Sequence, residues 1–508
     1  MATANDIANR IPITASLMLA ALMNTLDTTI ANVALPHMKG SLSASEDQIV
    51  WVLTSYIIAT AIMLPLSGWL SEKIGRKRMF LLSIGGFTIA SMLCGIATSL
   101  PEIVLFRLLQ GIAAASVMPL SQAVMLDIFP PRLVPRVMSL WSAALVLGPV
   151  AGPTIGGWLT ETLTWRWVFY INLPLGLIAF LGIWTFMSPD KGGRQRPFDF
   201  LGFGALALGS GAFQLMLDRG PGQDWFHSNE IWAEAVVAMI GVYVFIVQTA
   251  TAKHPFFHRD LIKDRNFVST SIIGFFVFGL LMSTNALLPS FMQNLMGYSA
   301  LQSGIAAMPR GLASMIAFLL VPWLMLRIGS RTLIFVGLML TLFASQMMSG
   351  FDLTMTAAPI MLALFVQGLG SGLLFTPVSV LAFTTLDPRH RTDATVVSAM
   401  MRNLGGSASI SVIQALLLRD ASVAHARLAE RVSGGDPVLR AMLPTAMDPS
   451  TAGGLEGLNT ELTRQASMIS YDNIFSWIVP AVALLTPLVF LIGRERNVVA
   501  TAVAAHAE

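Results

Sequence analysis

Charge is scarce in this sequence. Asp, Glu, Lys and Arg make up 12% of its 508 residues, while hydrophobic residues reach 55%, against roughly 25% charged residues in a soluble domain. The deficit excludes an ordinary water-soluble fold and points to a surface in contact with lipid. Cysteine is nearly missing too: Cys94 stands alone in an apolar stretch, so neither a disulfide framework nor a cysteine-rich metal site is available. No glycine loop followed by Lys-Ser or Lys-Thr occurs, and no His-Glu-x-x-His pair. The motifs of an ATP-driven pump and of a zinc hydrolase are therefore lacking, and no metal site is expected. The first apolar run carries no small-residue cleavage site, so no signal peptide is expected. A pI near 9.2 would suit a nucleic-acid binder. The basic residues, however, lie in short clusters between apolar runs, which is how membrane orientation is encoded, and no nucleic-acid partner is expected.

What the sequence has is long apolar runs. A mean hydropathy of +0.69 cannot come from one anchor of about 20 residues. Stretches long enough to cross the hydrocarbon run approximately over 12–35, 47–70, 79–98, 101–127, 136–160 and 166–187. Two follow at 199–217 and 231–251, and six more at 267–295, 301–326, 332–350, 356–385, 393–418 and 474–493. Fourteen spans place both termini on one side. Of 31 Lys and Arg, 20 then fall at that side and 3 within spans, so the positive-inside rule makes that side cytoplasmic.

The chain also repeats itself. Gly68-Trp69-Leu70 to Lys77 recurs loosely as Pro322-Trp323-Leu324 to Arg331, displaced by 254 positions (323 − 69). Gln110-Gly111 recurs as Gln367-Gly368 and Pro131-Arg132 as Pro388-Arg389, displaced by 257 (367 − 110). An even number of spans between related segments preserves their sidedness. The expected architecture is therefore all-α and integral to the membrane: two parallel six-helix bundles related about an axis along the membrane normal, with two inserted helices. The boundaries are 1–190 for the first bundle, 191–265 for the insert and 266–508 for the second bundle, with an extramembrane loop at 419–472. In that loop Ala421 to Val432 has helix-forming composition and Gly434-Gly435-Asp436-Pro437 breaks it.

Three segments resemble signature motifs of the major facilitator superfamily. One is Gly68 to Arg78, where Gly68 and Gly75 allow close helix approach and Glu72, Arg76 and Lys77 suit a charged cytoplasmic gate. The second is Arg107-Leu108-Leu109-Gln110-Gly111. The third, Gly148-Pro149-Val150-Ala151-Gly152-Pro153-Thr154-Ile155-Gly156-Gly157, looks like the motif of antiporting members. With Leu26-Asp27-Thr28-Thr29 in the first span and fourteen helices, nearly the whole chain resembles the EmrB/QacA-type drug:proton antiporters. Gln214 to Gly220 followed by Asp224-Trp225-Phe226 is similar to the inserted-helix loop on the EmrB side of that branch. Glu72 departs from the pattern, standing where the superfamily usually has Asp, and so does Arg310. The resemblance implies proton-coupled export of small amphipathic molecules across a bacterial cytoplasmic (inner) membrane, with no cofactor beyond the proton gradient. It also implies partnership with a periplasmic adaptor of the EmrA kind and an outer-membrane channel. A proton-coupled importer is the rival reading, because the fold does not set direction.

Ionisable residues inside spans each cost several kcal/mol unless paired or facing water, so they are the sharpest leads. Asp27 and Arg107 lie at depths that agree within one helical turn. Burial favours the neutral acid and a nearby guanidinium favours the carboxylate, so a change in their separation binds or releases a proton. The alternative is a static pair that fixes two helices. The second half has Leu364 where the repeat would place Arg107, so proton chemistry is expected in the first bundle. Arg310 and Arg402 instead land near the midplane. They suit an amphipathic substrate bearing a carboxylate or ionisable phenol, or else hydrogen-bond carbonyls of neighbouring helices. Asn24 either orients a ligand in the same cavity or bridges helices. Gly148, Gly152 and Gly156 share one helix face and permit close packing, while Pro149 and Pro153 each remove a backbone donor. Together with Gly157 they make a tight seam that either blocks proton leak or simply packs. Phe275, Phe276, Phe278, Met282 and Phe291 at helical spacing read as lipid-facing or core side chains rather than a binding surface.

Overall fold

The computed structural model describes residues 4–189, 197–431 and 451–491. Among these, fourteen long helices account for the fold. The first six are α1 Arg10–Ser41, α2 Trp51–Ile74, α3 Arg76–Ile96, α4 Leu100–Ile128, α5 Val134–Thr162 and α6 Trp167–Phe186. The inserted pair is α7 Phe200–Arg219 and α8 Asn229–Thr251. The last six are α9 Arg265–Ser290, α10 Ala300–Ile328, α11 Ser330–Met348, α12 Ala357–Thr384, α13 Arg391–Arg431 and α14 Ala452–Leu491. Thirteen are long and apolar enough to span by composition alone. The other, α13, is the helix that carries Arg402 and several serines into the interior, which lowers its hydropathy without removing it from the bundle.

Two expectations from the sequence change here. The span read as 393–418 is the start of a continuous helix of 41 residues, and α14 begins at 452 rather than near 474. At 1.5 Å per residue each runs about 60 Å, twice the hydrocarbon thickness. The described part of the 419–472 segment is thus the projecting ends of two helices rather than a loop. They are held together by His425 with Asn459 Oδ1 at 3.0 Å, and by the Ser470 hydroxyl donating to the Leu417 carbonyl at 2.8 Å. The break expected at Gly434 to Pro437 lies outside the described residues, as does most of the polar stretch between α6 and α7.

The repeat is visible in the backbone. Gly75 and Gly329, 254 positions apart (329 − 75), turn α2 into α3 and α10 into α11 with φ of 92° and 78°. Glycine alone takes that conformation without steric cost. Each amide donates at 3.1 Å to a carbonyl four residues back, Ser71 and Met325. Gly111 and Gly368 form a second matched pair. A Cβ on Gly111 would lie 3.0 Å from Ala59 Cβ, and one on Gly368 would lie 2.9 Å from Ala313 Cβ, so α4 presses on α2 as α12 presses on α10.

The two halves meet along α5, which faces α1 on one side and α10 on the other. The largest buried apolar cluster runs continuously from Leu17, Phe80 and Trp141 of the first half to Val321, Phe383 and Met400 of the second. The inserted helix α7 touches both halves. Its Gln214 donates to Ser407 of α13 at 2.9 Å, its Leu217 carbonyl accepts from Ser411 of α13, and its Asp218 accepts from Thr54 of α2. Its other side packs backbone to backbone on α8, where a Cβ on Gly209 would meet Val242 N at 3.0 Å.

Candidate functional site

Asp27 and Arg107 meet. The Arg107 Nη1 donates to Asp27 Oδ2 at 2.6 Å, with the side chains 1% and 0% exposed. The other carboxylate oxygen accepts from Gln110 Nε2 at 2.9 Å and from Asn172 Nδ2 at 2.8 Å. Three donors on one carboxylate, one of them a cation, match its ionised form. Helix α4 presents Arg107 and Gln110 on one face, three residues apart, while α6 supplies Asn172 in its second turn. Arg107 also donates through Nε to the Val52 carbonyl at 3.0 Å, and its guanidinium lies 4.4 Å from the Tyr56 ring centre. The Asn172 amide reaches Ser91 of α3 at 2.9 Å. Four helices therefore converge on one carboxylate that water does not reach in this conformation.

Gln110 and Asn172 are partners that sequence reasoning did not place at Asp27. Gln110 was visible only as part of the Arg107 to Gly111 motif, and Asn172 had no sequence signal beyond being a polar residue at the start of an apolar run. Tyr56 extends the network by donating to Asn24 Oδ1 at 3.2 Å, and the Asn24 amide donates to the Ala114 carbonyl at 3.3 Å, where α4 is interrupted. In this structure Asn24 thus bridges α2 and α4.

The second half keeps the glutamine hydrogen bond and lacks a counterpart to the Asp27–Arg107 pair. Gln367, the repeat partner of Gln110, donates to Thr284 Oγ1 of α9 at 2.9 Å, and Leu364 is fully buried where Arg107 would stand. Arg310 takes the repeat place of Tyr56, 254 positions on (310 − 56), and donates to Asn285 of α9 much as Tyr56 reaches α1. Arg402 lies apart from these, on α13, with its guanidinium 5.9 Å from the Phe375 ring centre.

Along the seam, α5 runs as an unbroken helix through Pro149 and Pro153. A Cβ on Gly148 would lie 2.7 Å from Thr25 Cβ, one on Gly152 would lie 2.8 Å from Thr29 Cβ, and one on Gly156 would lie 3.2 Å from Ile30 Cγ2. Those α1 residues flank Asp27. Gly157 faces open space instead. On the opposite side of α5, Val150 fills the gap left by Gly311 of α10.

At the end of the molecule bearing the α2–α3 turn, Arg76 donates to Asp127 of α4 at 2.6 Å and to Thr392 Oγ1 of α13 at 3.0 Å. Arg391 comes from the other half to the same Asp127 at 3.0 Å and to the Leu126 carbonyl at 3.1 Å. Lys77 donates to the Trp184 carbonyl at 2.6 Å. Gly68 lets α2 approach α13, a Cβ there being 3.3 Å from Asp393 Oδ1. The motif around Glu72 thus belongs to a clasp centred on Asp127 that joins both halves. Ser139 of α5 and Thr376 of α12, at 3.5 Å, continue the contact inward.

The chain as a whole has relatives among known proteins. The family model described as Major Facilitator Superfamily matches residues 17–410. The chain belongs to the Major Facilitator Superfamily. It is 34% identical over 485 residues to the fatty acid resistance protein FarB of Neisseria gonorrhoeae, covering 94% of this chain and 95% of that one. To the multidrug export protein EmrB of Escherichia coli (strain K12) it is 32% identical over 488 residues, covering 94% of each. It is therefore an EmrB-like, multi-pass transporter of small molecules rather than an enzyme. Among solved structures the human organic anion transporter MFSD10 (TETRAN) shares the fold, with a TM-score of 0.61 at 15% identity over 95% of this chain and 99% of that one.

Proposed function

We propose that this transporter expels amphipathic small molecules in exchange for protons across the bacterial cytoplasmic membrane, with both termini inside, and that Asp27 carries the proton. The buried carboxylate carries this reading. In the present conformation Arg107, Gln110 and Asn172 hold it ionised and dry. Asp27 and its donors lie on α1, α4 and α6 of the same bundle, so a rearrangement of these helices within it that draws the donors away removes the stabilisation of the charge. The acid then takes a proton. The Asp127 clasp joins the halves at the end taken as cytoplasmic, so this conformation is closed toward the inside. Breaking it lets the bundles rock about the α5 seam. The tight α1–α5 contact at Gly148, Gly152 and Gly156 transmits that rocking to the helix that bears Asp27. The proton gradient is the energy source, and no cofactor is required.

The names of the relatives, multidrug export and fatty acid resistance, support export over import and a broad amphipathic substrate range. The projecting ends of α13 and α14 are the surface on which an EmrA-like adaptor, leading to an outer-membrane channel, would dock. The deciding experiment is transport by purified protein in liposomes under an imposed pH difference, with neutral, anionic and cationic dyes. Uphill dye movement that acidifies the opposite compartment is expected. Dye movement that neither responds to nor alters internal pH would refute antiport.

A further inference from the structure

A carboxylate that carries a proton has to be held in two forms, and the two ask opposite things of their neighbours. Ionised, it only accepts hydrogen bonds. Protonated, one of its oxygens becomes a donor, and a buried donor without an acceptor is costly. The three donors around Asp27 differ in what they can offer the second form. Arg107 has no acceptor atom at all. Gln110 has one, but its Oε1 already accepts from Arg107 Nη1 at 2.8 Å and from the Cys94 thiol at 3.7 Å, so its amide is fixed with the nitrogen toward Asp27. Asn172, itself fully buried, has an idle oxygen: its Oδ1 is without a hydrogen-bond partner.

The orientation of Asn172 therefore rests on its nitrogen. Nδ2 donates to Asp27 Oδ1 at 2.8 Å and to Ser91 Oγ of α3 at 2.9 Å, and the Ser91 hydroxyl donates onward to the Phe169 carbonyl at 2.9 Å. A hydroxyl serves as donor or acceptor, because its hydrogen turns about the C–O bond. If the Asn172 amide turns over, its oxygen stands where the nitrogen stands now. There it can accept from a protonated Asp27 and from Ser91, whose hydrogen swings off the Phe169 carbonyl, and no heavy atom of Asp27 or Ser91 has to move. The charged and titratable groups that face Asp27 are Arg107 of α4, Tyr56 of α2 and Cys94 of α3. Of these, Tyr56 donates to Asn24 and Cys94 to Gln110.

We propose that Asn172 is the acceptor for the proton that Asp27 carries, its side-chain amide turning over when the acid is protonated, and that Ser91 is the positioning residue that steadies the amide in both orientations. The proposal rests on the reading of Asp27 as the proton carrier and deepens it. The ionised acid accepts from three donors, and the neutral acid donates to one of them. The only covalent change is the O–H bond of the acid, whose proton comes from water. An arginine or a locked glutamine at position 172 would serve the ionised form alone, whereas an asparagine beside a serine serves both.

Infrared difference spectroscopy on the purified full-length protein, acidic minus neutral buffer, reads the C=O stretch of a protonated carboxyl. A band that vanishes in Asp27→Asn belongs to Asp27. In wild type it should lie at the lower wavenumber of an acid whose O–H is hydrogen-bonded, and in Asn172→Leu it should move to the higher wavenumber of an unbonded one. Ser91 makes two hydrogen bonds in the ionised arrangement and one in the neutral. Ser91→Ala should therefore move the midpoint of the band's titration to higher pH by about half a unit to one unit, the worth of one hydrogen bond. Ser91→Thr, which keeps the hydroxyl, should restore the midpoint. Ser83→Ala deletes another hydroxyl of α3, one bonded to Ser116, and should change neither wavenumber nor midpoint. Size-exclusion profiles establish that each variant is folded, and Asn172→Ala serves if the leucine variant is not. An Asp27 band that keeps its wavenumber without the Asn172 amide, or a midpoint unmoved by Ser91→Ala, overturns the proposal and leaves the carrier reading standing. If no band is lost in Asp27→Asn, the carrier reading falls and this proposal with it.

Discussion

Replacing Asp27 by Asn removes one charge and almost no volume, and leaves Arg107 buried with only the Val52 carbonyl and Gln110 Oε1, at 3.0 and 2.8 Å, as strong acceptors. Breaking one side of a buried ion pair costs about 3–5 kcal/mol, because the remaining charge is uncompensated. The amide oxygen of Asn can still accept from Arg107, so the lower end of that range, about 3 kcal/mol, is expected. The double variant Asp27→Asn with Arg107→Leu removes both charges and copies the leucine that the second half has in place of Arg107, where Leu364 stands near Gln367 and Thr284. It should recover most of the lost stability yet remain inactive in proton-driven transport. Thermal unfolding of the purified variants reads the first quantity, and pH-driven uptake into liposomes reads the second. Equal melting temperatures for single and double variants would refute the energetic coupling. Uphill transport by Asp27→Asn at normal proton stoichiometry would refute the carrier role.

Gly152→Leu places a branched side chain where a Cβ alone lies 2.8 Å from Thr29 Cβ. It should cut transport severely and raise proton leak in liposomes, whereas Gly157→Leu, facing open space, should do neither. Asp127→Asn removes the negative charge shared by Arg76 and Arg391 and one of the two oxygens that accept from them. It should shift the population toward the inward-open state, read as faster labelling of a thiol introduced by Ser139→Cys in a Cys94→Ser background. Gly75→Ala forces a Cβ onto a backbone with φ of 92° and should destabilise by about 1 kcal/mol or more. A melting temperature equal to that of wild type would count against the strained turn.

The spans, the internal repeat and the meeting of Asp27 with Arg107 were legible in the sequence. Each depends on quantities that run along one dimension. The hydrocarbon thickness sets the length of an apolar run, and depth along a helix follows from residue count. The same logic misjudged α13 and α14, because a helix leaving the bilayer no longer needs apolar residues and its composition ceases to mark it. Tertiary structure alone decided which neighbours each polar group finds. Gln110 and Asn172 at Asp27, Asp127 between Arg76 and Arg391, α7 across both halves, and Arg402 facing a cavity while Arg310 finds Asn285 all depend on how each helix is rotated and how closely it approaches the next. Glycine contacts such as Gly111 on α2 and Gly148 on α1 set those distances, and a pairing between residues more than fifty positions apart leaves no local pattern from which a single sequence can reveal it.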